Sequence, residues 1–156
     1  MIRKLLLGAV LITLPLISVQ AQQKTDFSGT WKLNVAKSDF GPLPGPTSRT
    51  DVIAHKEPSI SNHVTTEGPQ GKLDYVANYT TDGKETTNTV GERVSKSTAK
   101  WDGNKLVVNT KLKINDSDVD VVATWELAAD GKTLTISVHL ASAMGEADQK
   151  LVFDKQ

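Results

Sequence analysis

The sequence predicts an all-β protein, an antiparallel up-and-down β-barrel of about eight to ten strands, and three observations carry that expectation. After residue 46 the chain consists of short runs rich in Thr, Val, Ile and Leu with period-two alternation, each bounded by turn residues. Three Asp-Gly pairs, Asp82-Gly83, Asp102-Gly103 and Asp130-Gly131, punctuate the runs. A type I′ hairpin needs positive φ at both central positions, which glycine takes freely and aspartate tolerates. Third, the connections from residue 57 onward are short, so consecutive strands are expected to pair as neighbours. A long meander with one apolar face exposes two edges unless it closes on itself, which favours a barrel over a two-sheet sandwich with long crossovers.

In chain order, residues 1–21 (MIRKLLLGAVLITLPLISVQA) are expected to be a cleaved signal peptide. Arg3 and Lys4 precede an apolar run from Leu5 to Val19, and Val19-Gln20-Ala21 supplies small residues for signal peptidase. The run is shorter than the roughly 20 apolar residues that span a bilayer and contains Pro15, so no transmembrane anchor is expected after cleavage. Residues 22–156 are then one domain of a size that buries a single sizeable core.

The strands are expected at about 29–35, 49–56, 60–66, 72–80, 85–90, 94–101, 105–114, 119–127, 132–140 and 149–154. Leu106, Val108, Leu112 and Ile114 alternate with Lys105, Asn109, Lys111 and Lys113, and Val119, Val121, Ala123, Trp125 and Leu127 alternate with charged or polar neighbours. One face is therefore apolar and the other solvated. The single long connection, Phe40-Gly41-Pro42-Leu43-Pro44-Gly45-Pro46, can be neither helix nor central strand.

Charge and cysteine content narrow the function. The 18 basic residues balance 18 acidic ones; without Arg3 and Lys4 the count is 16 against 18, near neutral, with no basic stripe for nucleic acid. There is no cysteine, which removes thiolate metal sites, cysteine nucleophiles and a lipid-modified cysteine anchor. An exported domain without disulfides points to a bacterial periplasmic or secreted protein.

Phe27-Ser28-Gly29-Thr30-Trp31-Lys32-Leu33 resembles the start of calycins, the superfamily of lipocalins and fatty-acid-binding proteins, in which Gly-x-Trp begins the first strand of a meander barrel. The Phe-x-Gly-x-Trp-x-Leu form and the closing Leu151-Val152-Phe153-Asp154-Lys155 are similar to the fatty-acid-binding branch. Together with Tyr79 to Glu85, Trp101 to Leu106 and Asp130 to Leu134, they look like a bacterial family of exported lipocalin-like proteins of unassigned function. The resemblance implies a barrel with an interior ligand site. It departs from the branch at the Arg-x-Tyr pair that holds a lipid carboxylate, where Leu151 and Phe153 stand. The proline-rich segment replaces the helical lid, and the arginine that lipocalins stack over the motif tryptophan has Lys150 as its nearest candidate.

Trp31 is expected to plug one end of the barrel with its indole N–H bonded, rather than to meet a ligand. Tyr75, Tyr79 and Trp125, with Asn62 and Thr110 as polar atoms on otherwise apolar faces, are the candidate ligand-binding residues, against the alternative of an ordinary filled core. His55 and His63 would face each other if residues 57–61 formed a three-residue hairpin loop, but two ligands fall short of a zinc site, and no metal is expected. Asp116, Asp118 and Asp120 lack the glycine and closing glutamate of a calcium loop and are expected at a solvated strand edge. No catalytic motif is present, and neither an enzyme nor a cofactor is expected. The expectation is a monomeric exported barrel binding a small hydrophobic molecule. Its alternative is an envelope-associated protein-interaction module with a filled interior, using Val107, Val122 and the Pro42 to Pro46 segment.

Overall fold

A computed structural model describes residues 24–69 and 71–156; the expected signal peptide, residues 1–21, lies outside the described residues. Ten strands follow in order: β1 Gly29–Leu33, β2 Ser48–Lys56, β3 Ser59–Gly68, β4 Gly71–Thr80, β5 Asp82–Val90, β6 Arg93–Asp102, β7 Lys105–Ile114, β8 Ser117–Leu127, β9 Thr133–Ser142 and β10 Gly145–Lys155. A single 3-10 turn, Val35–Lys37, precedes the proline-rich link. Every expected strand is present, and β10 begins four residues earlier than its apolar content suggests.

All ten strands form one antiparallel sheet in the order β4-β3-β2-β1-β10-β9-β8-β7-β6-β5. The first and last strands pair, Trp31 opposite Lys155 and Leu33 opposite Phe153, which curls the sheet into a nearly closed barrel. The two sheet ends are β4 and β5, so these consecutive strands, joined only by Thr81, are the exception to neighbour pairing. The side chain of Asn88 on β5 spans this seam to the backbone of Asn78 on β4.

Turn chemistry differs from the expectation in detail. None of the three aspartates preceding glycine takes positive φ; Gly103 and Gly131 do, at 61° and 68°, and Gly83 (81°) belongs to an irregular start of β5. Positive φ at both central residues occurs instead at Asn115 and Asp116, which join β7 to β8. Asparagine and aspartate reach this region because their short side chains hydrogen-bond locally. Beyond that turn Asp118 faces Lys113 at 2.8 Å, as a solvated strand edge would.

The antiparallel order places the turns after β2, β4, β6 and β8 at one end, together with Phe27 and the start of β1. The proline-rich link and the turns after β3, β5, β7 and β9 lie at the other. The core runs between them: Phe27, Trp31, Leu106, Leu134 and Phe153 are wholly buried, with Ile53, Ile60, Val108, Trp125 and Ile136 nearly so. Among the described residues no helix is long and apolar enough to cross a membrane.

Candidate functional site

The first end is sealed. The Trp31 indole is buried and its Nε1–H donates to the Phe27 carbonyl at 2.8 Å. Gly29 suits its place: its φ is +139°, where a side chain is strained, and a Cβ on it would displace Lys155 Cε, 2.8 Å away. The reason for that crowding is that Lys155, not Lys150, lies over the indole, its Nζ 5.1 Å from the ring centroid. Lys150 instead bridges to Asp39 through backbone hydrogen bonds.

A second layer surrounds the plug. Phe27, His55 and Trp101 form a cluster of three mutually adjacent rings, with centroids 5.8 to 6.1 Å apart, and Phe27 meets Trp125 edge-on. His55 Nδ1 accepts from the Phe27 backbone N–H, which leaves the proton on Nε2, where it donates to Glu57 Oε1 at 3.1 Å. Glu57 also accepts from Trp101 Nε1–H at 2.9 Å and from the Thr81 hydroxyl. Burial pushes the Glu57 carboxyl up, but the Thr81, His55 and Trp101 hydrogen bonds outweigh it and hold the pKa below its ordinary value. His55 and His63 do not face each other: the hairpin closes on two residues, Lys56 opposite Ser59, so His55 pairs with Ile60 and His63 with Val52. Among the described residues no three His, Asp or Glu side chains gather as metal ligands.

Above this layer lies an interior cavity of about 170 Å³. All five residues singled out from the sequence, Asn62, Tyr75, Tyr79, Thr110 and Trp125, are on its wall, with aliphatic side chains such as Val108, Ile136 and Leu151 between them. The tyrosines are on β4 two residues either side of buried Ala77, and the ring of Tyr79 meets Trp125 edge-on at 5.9 Å. Burial pushes the Tyr79 hydroxyl up to about 12 and raises that of Tyr75, where nearby Arg49 partly opposes it. Thr110 already has a partner, Ser97 Oγ at 2.8 Å.

The polar centre of the wall is an ion pair that the sequence reading did not find. Arg49 and Asp51 are two apart on β2 and therefore share its inner face with buried Ile53. The guanidinium donates through Nε to Asp51 Oδ1 at 2.7 Å and through Nη2 to Oδ2 at 2.8 Å, a two-pronged pair. The Asp51 side chain is fully buried, while that of Arg49 is 20% exposed and lies over the Phe153 ring at 5.4 Å. Burial disfavours the Arg49 charge, but the Asp51 carboxylate more than offsets this and raises its pKa.

Asn62, paired with Ile53 on the neighbouring β3, reaches diagonally and donates Nδ2–H to Asp51 Oδ2 at 2.7 Å. Its Oδ1 is buried without a hydrogen-bond partner, the only such side-chain atom among the described residues. Chemistry fixes this amide orientation, because turning it over would set its oxygen against a carboxylate oxygen. The sequence offers only the i, i+2 spacing of Arg49 and Asp51, which puts both on one face of β2 without saying which face is inward.

No known family model matches the chain, and no curated protein sequence matches it. Solved structures do. A zebrafish ileal bile acid-binding protein complexed with cholic acid superposes with a TM-score of 0.58 at 17% identity, over 83% of this chain and 98% of that one. The fold is calycin-like. A secretory abundant heat soluble protein of Ramazzottius varieornatus gives 0.61 at 14% identity, over 86% and 98%. A fatty-acid-binding protein of Echinococcus granulosus gives 0.50 at 13% identity, over 83% and 96%. This calycin-like barrel shares its architecture with all three, and at these identities the likeness speaks for the fold. Its link from β1 to β2 is the proline-rich segment with one 3-10 turn, pinned by Gln149 Nε2–H donating to the Phe40 carbonyl at 3.1 Å.

Proposed function

We propose that this protein is an exported, non-catalytic carrier or receptor for a small, mostly apolar molecule held inside the barrel. The observation that carries the reading is convergence. Five residues from four strands, chosen as polar or amphipathic positions on apolar faces, meet on one interior cavity, and neither tyrosine hydroxyl there has a protein partner among the described residues. A cavity with apolar walls and a few placed polar groups is what small-molecule recognition uses. That a zebrafish protein of this fold is complexed with cholic acid supports a small-molecule ligand here. Export rests on the sequence of residues 1–21, and entry is assigned to the end that carries the proline-rich link, away from the Trp31 plug.

The protein-interaction alternative needed a filled interior and a surface made by Val107, Val122 and the Pro42 to Pro46 segment; both valines are half-buried, while Pro42, Leu43 and Pro44 are exposed. Trp125 on the cavity wall supplies the readout for a test. Saturable changes in its fluorescence are expected when small apolar molecules are titrated into the mature protein, and a Tyr79→Phe variant should alter their affinity. Flat titrations across a panel of one- to four-ring compounds and fatty acids would remove the carrier reading.

A further inference from the structure

We infer that the interior site selects an uncharged molecule of about one ring that carries a hydrogen-bond donor, and that it discriminates against carboxylates. The inference rests on the carrier reading and deepens it from two features of the same wall.

The first is charge. Among the described residues Arg49 is the one cationic or carboxylate side chain on the cavity wall, and Asp51 beside it neutralises it through two short hydrogen bonds. An incoming carboxylate would gain from the guanidinium and lose to the fully buried Asp51 carboxylate a few ångströms beyond it. The difference is too small to replace the water that the anion gives up. The barrel therefore contains an arginine without offering an anion site.

The second is the unspent acceptor. Asn62 is only 2% exposed, stands on the cavity wall, and keeps Oδ1 unpartnered because its amide nitrogen is committed to Asp51. A buried acceptor of this kind is costly until a donor reaches it. The tyrosine hydroxyls can give or take, so the group the wall lacks is a donor near Asn62. A hydroxyl or amide on the ligand provides it, while the aliphatic side chains and the Trp125 and Tyr79 rings take the apolar body. Size follows from volume: an apolar protein cavity of about 150 Å³ holds benzene, so about 170 Å³ suits a single substituted ring.

The test is a matched series, benzyl alcohol, toluene and benzoate, titrated into the mature protein by calorimetry and by the Trp125 fluorescence signal. Benzyl alcohol should bind more tightly than toluene by a factor on the order of five, as one net hydrogen bond would give, and benzoate should bind weakest. Asn62→Leu should retain toluene binding and erase the preference for the alcohol. Asp51→Asn should raise benzoate affinity by leaving the guanidinium uncompensated. Benzoate binding as tightly as the alcohol, or alcohol and toluene binding alike in the wild type, overturns the inference and leaves the carrier reading standing. If none of the three binds and larger compounds also fail, the carrier reading itself falls.

Discussion

The side-chain amide of Asn88 replaces a missing rung of the barrel: its Oδ1 accepts the backbone N–H of Asn78 at 2.7 Å, and its Nδ2–H donates to the carbonyl of the same residue at 3.0 Å. These are the two groups that a neighbouring strand would have paired, and Asn88 is itself buried. An exposed strand edge invites pairing with other chains, and here one amide caps it. Asn88→Ala should destabilise the fold by about 1–3 kcal/mol, the sum of two net hydrogen bonds. Urea unfolding measures that loss, and hydrogen exchange localises it: the Asn78 amide should be protected in the wild type and exchange freely in the variant. An Asn78 amide equally protected in both would mean that β4 and β5 are held by something else.

The acid side of stability has a local origin at Glu57. Its pKa in the folded state is held below the ordinary 4.5 by donors from Thr81, His55 and Trp101. A carboxyl whose pKa falls on folding contributes stability that is complete above its unfolded value and is lost as the pH drops through the folded one. Wild-type protein should therefore exceed Glu57→Gln in unfolding free energy at pH 7, and the gap should narrow below about pH 4.5. Subtracting the variant matters, because Asp74, Asp82, Asp118 and Asp154 are also held low, by His63, Lys84, Lys113 and Asn34 respectively. Urea midpoints at pH 7, 5 and 3.5 check this, and a gap that stays constant would count against it.

The sequence carried most of the fold because nearly every strand advertises its inner face. In β7, Leu106, Val108, Leu112 and Ile114 share one phase while Lys105, Asn109, Lys111 and Lys113 take the other, and the buried positions, Leu106 and Val108, follow the first. Closure at the plug end was legible in Gly29-Thr30-Trp31 and in the need of the indole for a bonded N–H, whereas the cation over the indole was not: it is Lys155 and not the expected Lys150. The five wall residues were legible as polar or amphipathic interruptions of apolar faces. Strand β2 was not: Val52, Ile53 and Ala54 are consecutive and give no phase, so the inward direction of Arg49 and Asp51 is set by pairing with β1 and β3. The seam was equally hidden. Asp82-Gly83 reads as a hairpin signal, but the irregular start of β5 carries it, and only the third dimension brings Asn88 to Asn78.

The Arg49–Asp51 pair should behave as a unit rather than as two independent residues. Arg49→Met leaves a fully buried carboxylate with Asn62 as its remaining partner, and Asp51→Asn leaves a guanidinium mostly inside the barrel. Removing one member of a buried pair typically costs about 3–5 kcal/mol, and the fifth of Arg49 that remains exposed should place Asp51→Asn at the low end. The double variant Arg49→Met with Asp51→Asn removes both charges while its new amide oxygen can still accept from Asn62, so it should be closer to wild type than either single variant. A double-mutant cycle by urea unfolding reads the coupling directly. Strictly additive losses would show that water, rather than Asp51, compensates Arg49; the interior would then carry a usable positive charge, and a carboxylate ligand would fit it after all.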